Sequence, residues 1–175
     1  KLVNSTAYTI SAGYQHAAIF KDQYAIKRQL KENYNPKFIL TSGKITKEYF
    51  SKYYKRDQII QIGSSRGDTL VKRNKDAKYT LVIPEGLIED VDLFIDLTIR
   101  VTEKIKTHKF LIRFHPVISD KQIKDRMHLI ENNPNILFSN DSLVNDIKMS
   151  QYVLYRGSTA VFSAVIAGLT PIYYD

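Results

Sequence analysis

Two short segments of this sequence carry residues that can bind an anion. Arg113-Phe114-His115-Pro116 completes the apolar run KFLIRF, and Arg156-Gly157-Ser158-Thr159 follows the run YVLY. Arginine and histidine hydrogen-bond to phosphate oxygens, and a histidine can also transfer a proton. A glycine lets a ligand approach the backbone, and the hydroxyls of Ser158 and Thr159 are further donors. Together, the two segments predict a phosphate-binding site.

Each segment is expected at the carboxyl end of a β-strand. Residues two apart on a strand point to the same side, so Arg113 and His115 are expected together, and Pro116 ends the strand. After YVLY, the sequence AVFSAVIAG predicts a helix that buries almost its entire surface, begins at Ser158 or Thr159 with a side-chain N-cap and stops at Gly168. The free N–H groups of such a helix favour phosphorylated ligands at the edge of a parallel sheet. The alternative is an ordinary capped helix without a ligand.

A carboxylate lies at a third predicted strand end, in Pro84-Glu85-Gly86. Glu85 could accept hydrogen bonds from a sugar or ribose hydroxyl, or stabilise the first turn of a long helix predicted over residues 87–106. On that helix, Asp90 and Asp92 imitate a metal-binding D-x-D motif. Residues two apart on a helix point about 200° apart, so these carboxylates are predicted to form a solvated face and not a metal site.

The order of apolar runs predicts the fold. From Tyr79 onward, five strand-like runs alternate with helical segments, which predicts an α/β fold with a doubly wound parallel sheet over residues 79–175. Residues 63–78 are polar, charged and aperiodic, which predicts an interdomain linker. Residues 1–62 are predicted to be the end of a preceding α/β domain. Because both ends of the sequence fall beside predicted strands, we expect a fragment of a longer protein.

The preceding domain also has polar residues near a strand end. The strand AYTISAG is expected to end at Gly13, so that Tyr14, Gln15 and His16 follow its carboxyl end, a usual position for active-site residues. Histidine is also common in structural roles, and both interpretations of His16 stay open. The GSSRG segment that contains Arg66 lacks the lysine and the spacing of a phosphate-binding P-loop.

The composition narrows the class of partner. The chain has no cysteine, and none of its apolar runs reaches the ~20 residues that span a membrane. The formal charge of +8 favours an anionic partner such as a nucleotide or a lipid surface. The lysines are dispersed and the aromatic residues fall in predicted cores, which argues against nucleic-acid binding.

The order of these motifs resembles the nucleotide-binding half of GT-B glycosyltransferases. The shared features are an R-x-H-P strand end and a later G-S-T turn opening a helix that ends A-G-x-x-P. The similarity is greatest to transferases of bacterial capsule and other surface polysaccharides, including the sialyl-, polysialyl- and Kdo-transferase groups, and is more distant to CDP-glycerol polymerases. The Gly13-Tyr14-Gln15-His16 segment resembles their G-x-Q-H segment, and IGSSR resembles their interdomain crossing.

The resemblance implies a glycosyltransferase that takes a sugar from a nucleotide-sugar donor, with CMP-activated donors slightly favoured, and needs neither a metal nor a cofactor. His16 and His115 become the catalytic candidates, and Gln15 and Arg66 are candidates for acceptor or interdomain contacts. The residues implied in donor nucleotide and phosphate binding are Glu85, Gly86, Arg113, His115, Pro116, Arg156, Gly157, Ser158 and Thr159.

The implied partners are the nucleotide-sugar, a glycan acceptor and an anionic inner membrane, with no nucleic acid. The expected location is therefore the cytoplasm, at the inner face of the membrane. Three alternatives remain open at this point: a polyol-phosphate transferase, a nucleotide-sugar epimerase of the same fold, and a non-catalytic module that binds nucleotide-sugars or anions.

Overall fold

The computed structural model describes residues 10–15, 19, 34–64 and 71–175. The chain divides into two compact units, Lys1–Arg66 and Gly67–Asp175, and each has its own parallel sheet. The division falls within residues 63–78, the segment that the sequence predicts as a linker.

The first unit contains a small parallel sheet. Its elements, in chain order, are β1 (Ala12–Gln15), β2 (Phe38–Thr41), α1 (Lys44–Phe50) and β3 (Ile59–Gln61). The strand order is β1-β2-β3, and Ile39, Phe50 and Ile59 form the buried core. The register pairs Gln15 with Thr41, so β1 continues past Gly13, where the sequence placed its end. Gln15 therefore lies within the strand.

The second unit contains a five-stranded parallel sheet with helices between its strands. Its elements are β4 (Tyr79–Ile83), α2 (Ile88–Lys104), β5 (Lys109–Ile112), α3 (Asp120–Met127), β6 (Ile136–Phe138), α4 (Leu143–Lys148), β7 (Ser150–Tyr155), α5 (Val161–Ile166) and β8 (Thr170–Tyr173). The strand order is β6-β5-β4-β7-β8, and every pairing is parallel. The predicted doubly wound α/β fold is confirmed.

Both faces of the central strands are buried: consecutive residues of a strand point to opposite sides, and each side packs in its own apolar cluster. On β4, Val82 packs in one cluster with Phe94 of α2, and Leu81 packs in the other with Ala164 of α5. All four residues are fully buried. This burial explains why the central strands read as continuous apolar runs.

The predicted linker is not uniform. Residues 71–78 belong to the second unit and hydrogen-bond to the rest of it: the N–H of Asn74 donates to the carbonyl of Lys148 at 2.9 Å, and the N–H of Lys78 donates to the carbonyl of Met149 at 3.0 Å. Ala77 is only 3% exposed. The second unit therefore begins before its first strand.

Helix α5 is less buried than the sequence predicts. Val161 and Ala164 face the sheet, but Phe162, Val165 and Ile166 are between 43% and 58% exposed. The helix has only six residues and lies beside the edge strand β8, all of whose residues are exposed. Within the described residues, one apolar face of α5 is therefore left uncovered, which corrects the expectation that this helix buries almost its entire surface.

His108, just before β5, is sensitive to pH. Its Nε2 lies 2.9 Å from Oγ1 of the buried Thr80, and its ring packs edge-on against Phe110. Burial lowers the pKa of His108, because desolvation penalises the imidazolium form. As the pH falls below about 6.5, the unfolded chain binds its proton first. The contribution of neutral His108 to the free energy of unfolding is therefore complete above that pH. This contribution is lost as the pH falls through the lowered pKa of the folded state.

We expect that lowering the pH from 7 to 5 destabilises the wild-type protein more than the His108→Gln variant, because glutamine has no proton to gain. Thermal or urea unfolding of both proteins across this range measures the difference. Parallel losses of stability in the two proteins would contradict this account of His108.

Candidate functional site

The five-stranded sheet reverses its winding direction at the central strand β4. From β4 the chain adds β5 and β6 on one side, and it then adds β7 and β8 on the other. Such a switch point opens a crevice at the carboxyl ends of the two strands that flank it, and open α/β sheets bind ligands there. Here these strands are β4 and β7, which end in register at Ile83 and Tyr155. The loops that follow them are two of the segments singled out in the sequence.

Glu85 and Gly157 meet across this switch point. An ideal Cβ on Gly157 would lie 2.5 Å from Cδ of Glu85 and would overlap one of its carboxylate oxygens. The absent side chain of Gly157 is therefore the space that the Glu85 carboxylate occupies. The sequence predicts a glycine that a ligand approaches, and the structure shows a carboxylate of the same chain in that position.

Asp90 contacts a residue of each of these two loops. This residue is 5% exposed, and its Oδ2 accepts a hydrogen bond of 2.7 Å from the N–H of Glu85. Its Oδ1 lies 3.6 Å from a guanidinium nitrogen of Arg156. The prediction that Asp90 belongs to a solvated face is wrong, because the residue faces the sheet.

The sequence does contain a signal for this burial. The buried residues of α2 recur at a spacing of four, which places Asp90 on the same face as Phe94, Thr98 and Thr102. A carboxylate on the apolar face of a helix requires a partner, so the periodicity marks Asp90 as a candidate.

His115 approaches the crevice from β5. An ideal Cβ on Gly86 would lie 3.3 Å from Nδ1 of His115, so the imidazole packs against this glycine. The N–H of Val117 donates to Nδ1 at 3.3 Å, which makes Nε2 the protonated nitrogen of the neutral ring. Pro116 is the second residue of a turn that the N–H of Ile118 closes by donating to the carbonyl of His115. His115 is exposed, so its Nε2–H is available as a donor to a ligand.

Arg113 has partners of its own. Strand β5 ends at Ile112, before Arg113, so strand alternation does not place Arg113 beside His115 as predicted. One guanidinium nitrogen donates to Oδ2 of Asp146 at 2.9 Å and also to the carbonyl of Asp141. Asp146 is 2% exposed and accepts a second short hydrogen bond, from Oγ of Ser139. Arg113 thus compensates a buried carboxylate of α4.

The RGST turn differs in detail from its prediction. Helix α5 begins at Val161 with Ala160 in the N-cap position, and no side chain caps it. Ser158 accepts through its carbonyl from the N–H of Val161, and Thr159 accepts in the same way from that of Phe162. These i to i+3 bonds form a tight turn before the helix, so the helix begins later in the sequence than predicted. The predicted side-chain cap by Ser158 or Thr159 is therefore wrong. Neither hydroxyl is used as a cap.

The candidates of the first unit are described only in part. Oε1 of Gln15 accepts a hydrogen bond of 3.3 Å from Oγ of Ser42. His16 and Arg66 lie outside the described residues.

The described residues form neither a metal-binding cluster nor a membrane-spanning helix. They contain no group of three or more histidine, aspartate or glutamate side chains placed to hold a metal ion. Their helices are all too short or too polar to span a bilayer.

No protein-family model and no curated protein matches this sequence. Solved structures do match. A point mutant of S. aureus TarM, in complex with fondaparinux, α-GlcNAc-glycerol and UDP, aligns with a TM-score of 0.60 at 15% identity, over 97% of this chain and 37% of that one. The pneumococcal O-GlcNAc transferase GtfA, in complex with UDP and GlcNAc, aligns with a TM-score of 0.63 at 14% identity, over 99% of this chain and 39% of that one.

A third match is to the structure of accessory secretory proteins 1, 2 and 3 of Streptococcus pneumoniae, with a TM-score of 0.52, 13% identity and coverage of 98% and 37%. The chain thus spans 37% to 39% of the length of these proteins. GtfA is an O-GlcNAc transferase. This chain therefore has the Rossmann-like α/β fold that GT-B glycosyltransferases share.

Proposed function

We propose that this chain is the donor-binding part of a GT-B glycosyltransferase that moves a sugar from a nucleotide-sugar to a surface polysaccharide or another glycan. One observation carries the proposal: the loops after three neighbouring strands bring Glu85, His115 and Arg156 to the switch point of a fold that is shared with glycosyltransferases.

The proposed reaction places the departing nucleotide at the carboxyl edge of the sheet. His115 would donate through Nε2–H to a phosphate oxygen, and Arg156 would contribute positive charge. Gly86, Pro116, Ser158 and Thr159 would complete the donor site. Arg113 would act there through the guanidinium nitrogens that Asp146 does not engage. The mechanism assigns stabilisation of the leaving group to these residues and uses neither a metal nor a cofactor.

The proposal also concerns which nucleotide activates the donor sugar. The R-x-H-P sequence favours a CMP-activated donor, as in the sialyl- and Kdo-transferase groups that the motifs resemble. In contrast, both the TarM mutant and GtfA were solved with UDP, which supports a UDP-sugar. The two donor classes differ in the number of phosphates that the site must hold, so a binding experiment separates them.

The remaining contacts are proposals about the first unit. His16 is the candidate for a catalytic role on that side, and Gln15 and Arg66 are candidates for acceptor or interdomain contacts. The positive charge of the chain supports peripheral contact with an anionic membrane at the cytoplasmic face.

A donor screen tests the proposed function. We expect UDP-, CMP- or CDP-activated sugars to raise the melting temperature of the full-length protein, because a ligand that binds only the folded state stabilises it. Inorganic sulfate at matched ionic strength is the control for non-specific anion binding. If no nucleotide or nucleotide-sugar stabilises the protein, the proposal is wrong.

Product analysis then identifies the reaction. A glycosyltransferase releases the nucleotide only as the acceptor gains a sugar, whereas an epimerase alters the sugar without any acceptor. A polyol-phosphate transferase would move phosphate together with its cargo. Binding without turnover by the full-length protein would favour a non-catalytic nucleotide-sugar module.

A further inference from the structure

The carboxylate of Glu85 has an unusual environment for a charged group. It is half-buried over Gly157 at the switch point, and the described residues supply neither a hydrogen-bond donor nor a cation to its oxygens. A carboxylate accepts up to four hydrogen bonds, and burial without them is unfavourable. The missing donors must come from water or from a ligand in the crevice.

The position of this carboxylate is fixed from the backbone. The N–H of Glu85 donates to the buried Oδ2 of Asp90, and Asp90 also faces Arg156 on the opposite loop. One buried side chain thereby sets the spacing of the two loops that form the crevice. Gly157 completes the arrangement, because any side chain there would displace the Glu85 carboxylate.

The charges in the crevice determine which part of a ligand binds beside Glu85. Glu85 and Asp90 carry two negative charges and Arg156 carries one positive charge, which leaves one net negative charge beside Gly157. A phosphate placed against Glu85 would be repelled at close range. A vicinal diol would instead donate one hydrogen bond to each carboxylate oxygen.

We propose that Glu85 is a specificity-determining residue whose carboxylate accepts hydrogen bonds from a vicinal diol of the ligand, and that Asp90 is the positioning residue that holds it over Gly157. This inference rests on the proposed function, because it assumes a nucleotide-sugar in the crevice. The diol belongs either to the ribose or to the transferred sugar. The phosphate then lies on the His115 side of the crevice and not over Gly157.

The test compares ribonucleotides with analogues that lack the diol. UMP and CMP, each with its 2′,3′-dideoxy form, are titrated calorimetrically into the full-length wild-type protein and the Glu85→Gln variant. We expect the wild-type protein to prefer the ribonucleotide at least fivefold, and Glu85→Gln to reduce that preference below twofold, because hydrogen bonds to a charged group are the stronger ones. Glu89→Gln is the matched control, since it removes an exposed carboxylate from the helix that follows Glu85.

The sugar arm uses the same two proteins. If the diol belongs to the sugar, Glu85→Gln weakens binding of the nucleotide-sugar at least fivefold and leaves the free nucleotide unaffected. If Glu85→Gln leaves every affinity within twofold of the wild-type value while the wild-type protein still binds nucleotides, the inference is wrong and the proposed function survives. If the wild-type protein binds no nucleotide, both fail.

Two further substitutions test the geometry. Gly157→Ala should abolish the preference for the diol by displacing the carboxylate, but should change affinity less than twofold when added to Glu85→Ala. Asp90→Asn keeps an acceptor for the N–H of Glu85 and should retain the preference, whereas Asp90→Ala should lose it. A purely structural role of Asp90 predicts lower melting temperatures with an unchanged preference, which would overturn its assignment as a positioning residue.

Discussion

Replacement of Arg113 by alanine is expected to lower the free energy of unfolding by about 3 kcal/mol, because it leaves the buried carboxylate of Asp146 without its cation. The hydroxyl of Ser139 would still donate to this carboxylate, but a neutral hydroxyl does not offset a buried charge. Urea unfolding of the wild-type and variant proteins gives the difference directly.

Two controls separate this ion pair from general effects of the substitution. In an Asp146→Asn background, Arg113→Ala should cost under about 1 kcal/mol, because the buried charge is already absent. Arg100 forms an exposed pair with Asp96, and Arg100→Ala should also cost less than about 1 kcal/mol. Equal costs of Arg113→Ala in both backgrounds would show that the pair does not carry the stability.

The fold was predictable because its main signals are local. Each central strand is a continuous apolar run, and the alternation of strands with helices restricts the topology to a parallel, doubly wound sheet. The boundaries were less accurate where short-range bonds shift them. Helix α5 is an example: the carbonyls of Ser158 and Thr159 form a turn first, so the helix begins at Val161.

The positions of the site residues were predictable from the sequence, but their contacts with one another were not. The sequence placed Glu85, His115 and Gly157 at strand ends, and the structure places them at the carboxyl edge of one sheet. The sequence could not reveal that Glu85 fills the space beside Gly157, because that contact crosses the switch point between strands that are far apart in the sequence.

The same limit applies to the two buried carboxylates. Arg113 precedes its partner Asp146 by 33 residues, and Arg156 lies still further from Asp90. Periodicity marks Asp90 as buried, but only the folded sheet identifies its partners. The sequence predicts a ligand-binding role for Arg113, and it cannot show that one nitrogen of this arginine is engaged by a buried carboxylate.

His115 gives the second prediction of large effect. If its Nε2–H donates to the phosphate of the donor nucleotide, His115→Ala should cost on the order of 1 to 3 kcal/mol of phosphate binding or transition-state stabilisation. The residue is exposed, so the melting temperature of the unliganded protein should change little.

The structure offers a matched pair of substitutions for this test. Asparagine places its side-chain oxygen near the position of Nδ1, where it can accept from the N–H of Val117, but it has no donor at the position of Nε2. Glutamine extends an amide nitrogen toward the Nε2 position and loses the contact with Val117. If the ligand contact is what matters, His115→Asn should lose as much affinity and turnover as His115→Ala, and His115→Gln should recover part of both. The reverse order would mean that the imidazole acts by closing the turn at Pro116. Wild-type affinity and turnover in all three variants would remove His115 from the site and leave the crevice between Glu85 and Arg156 as its centre.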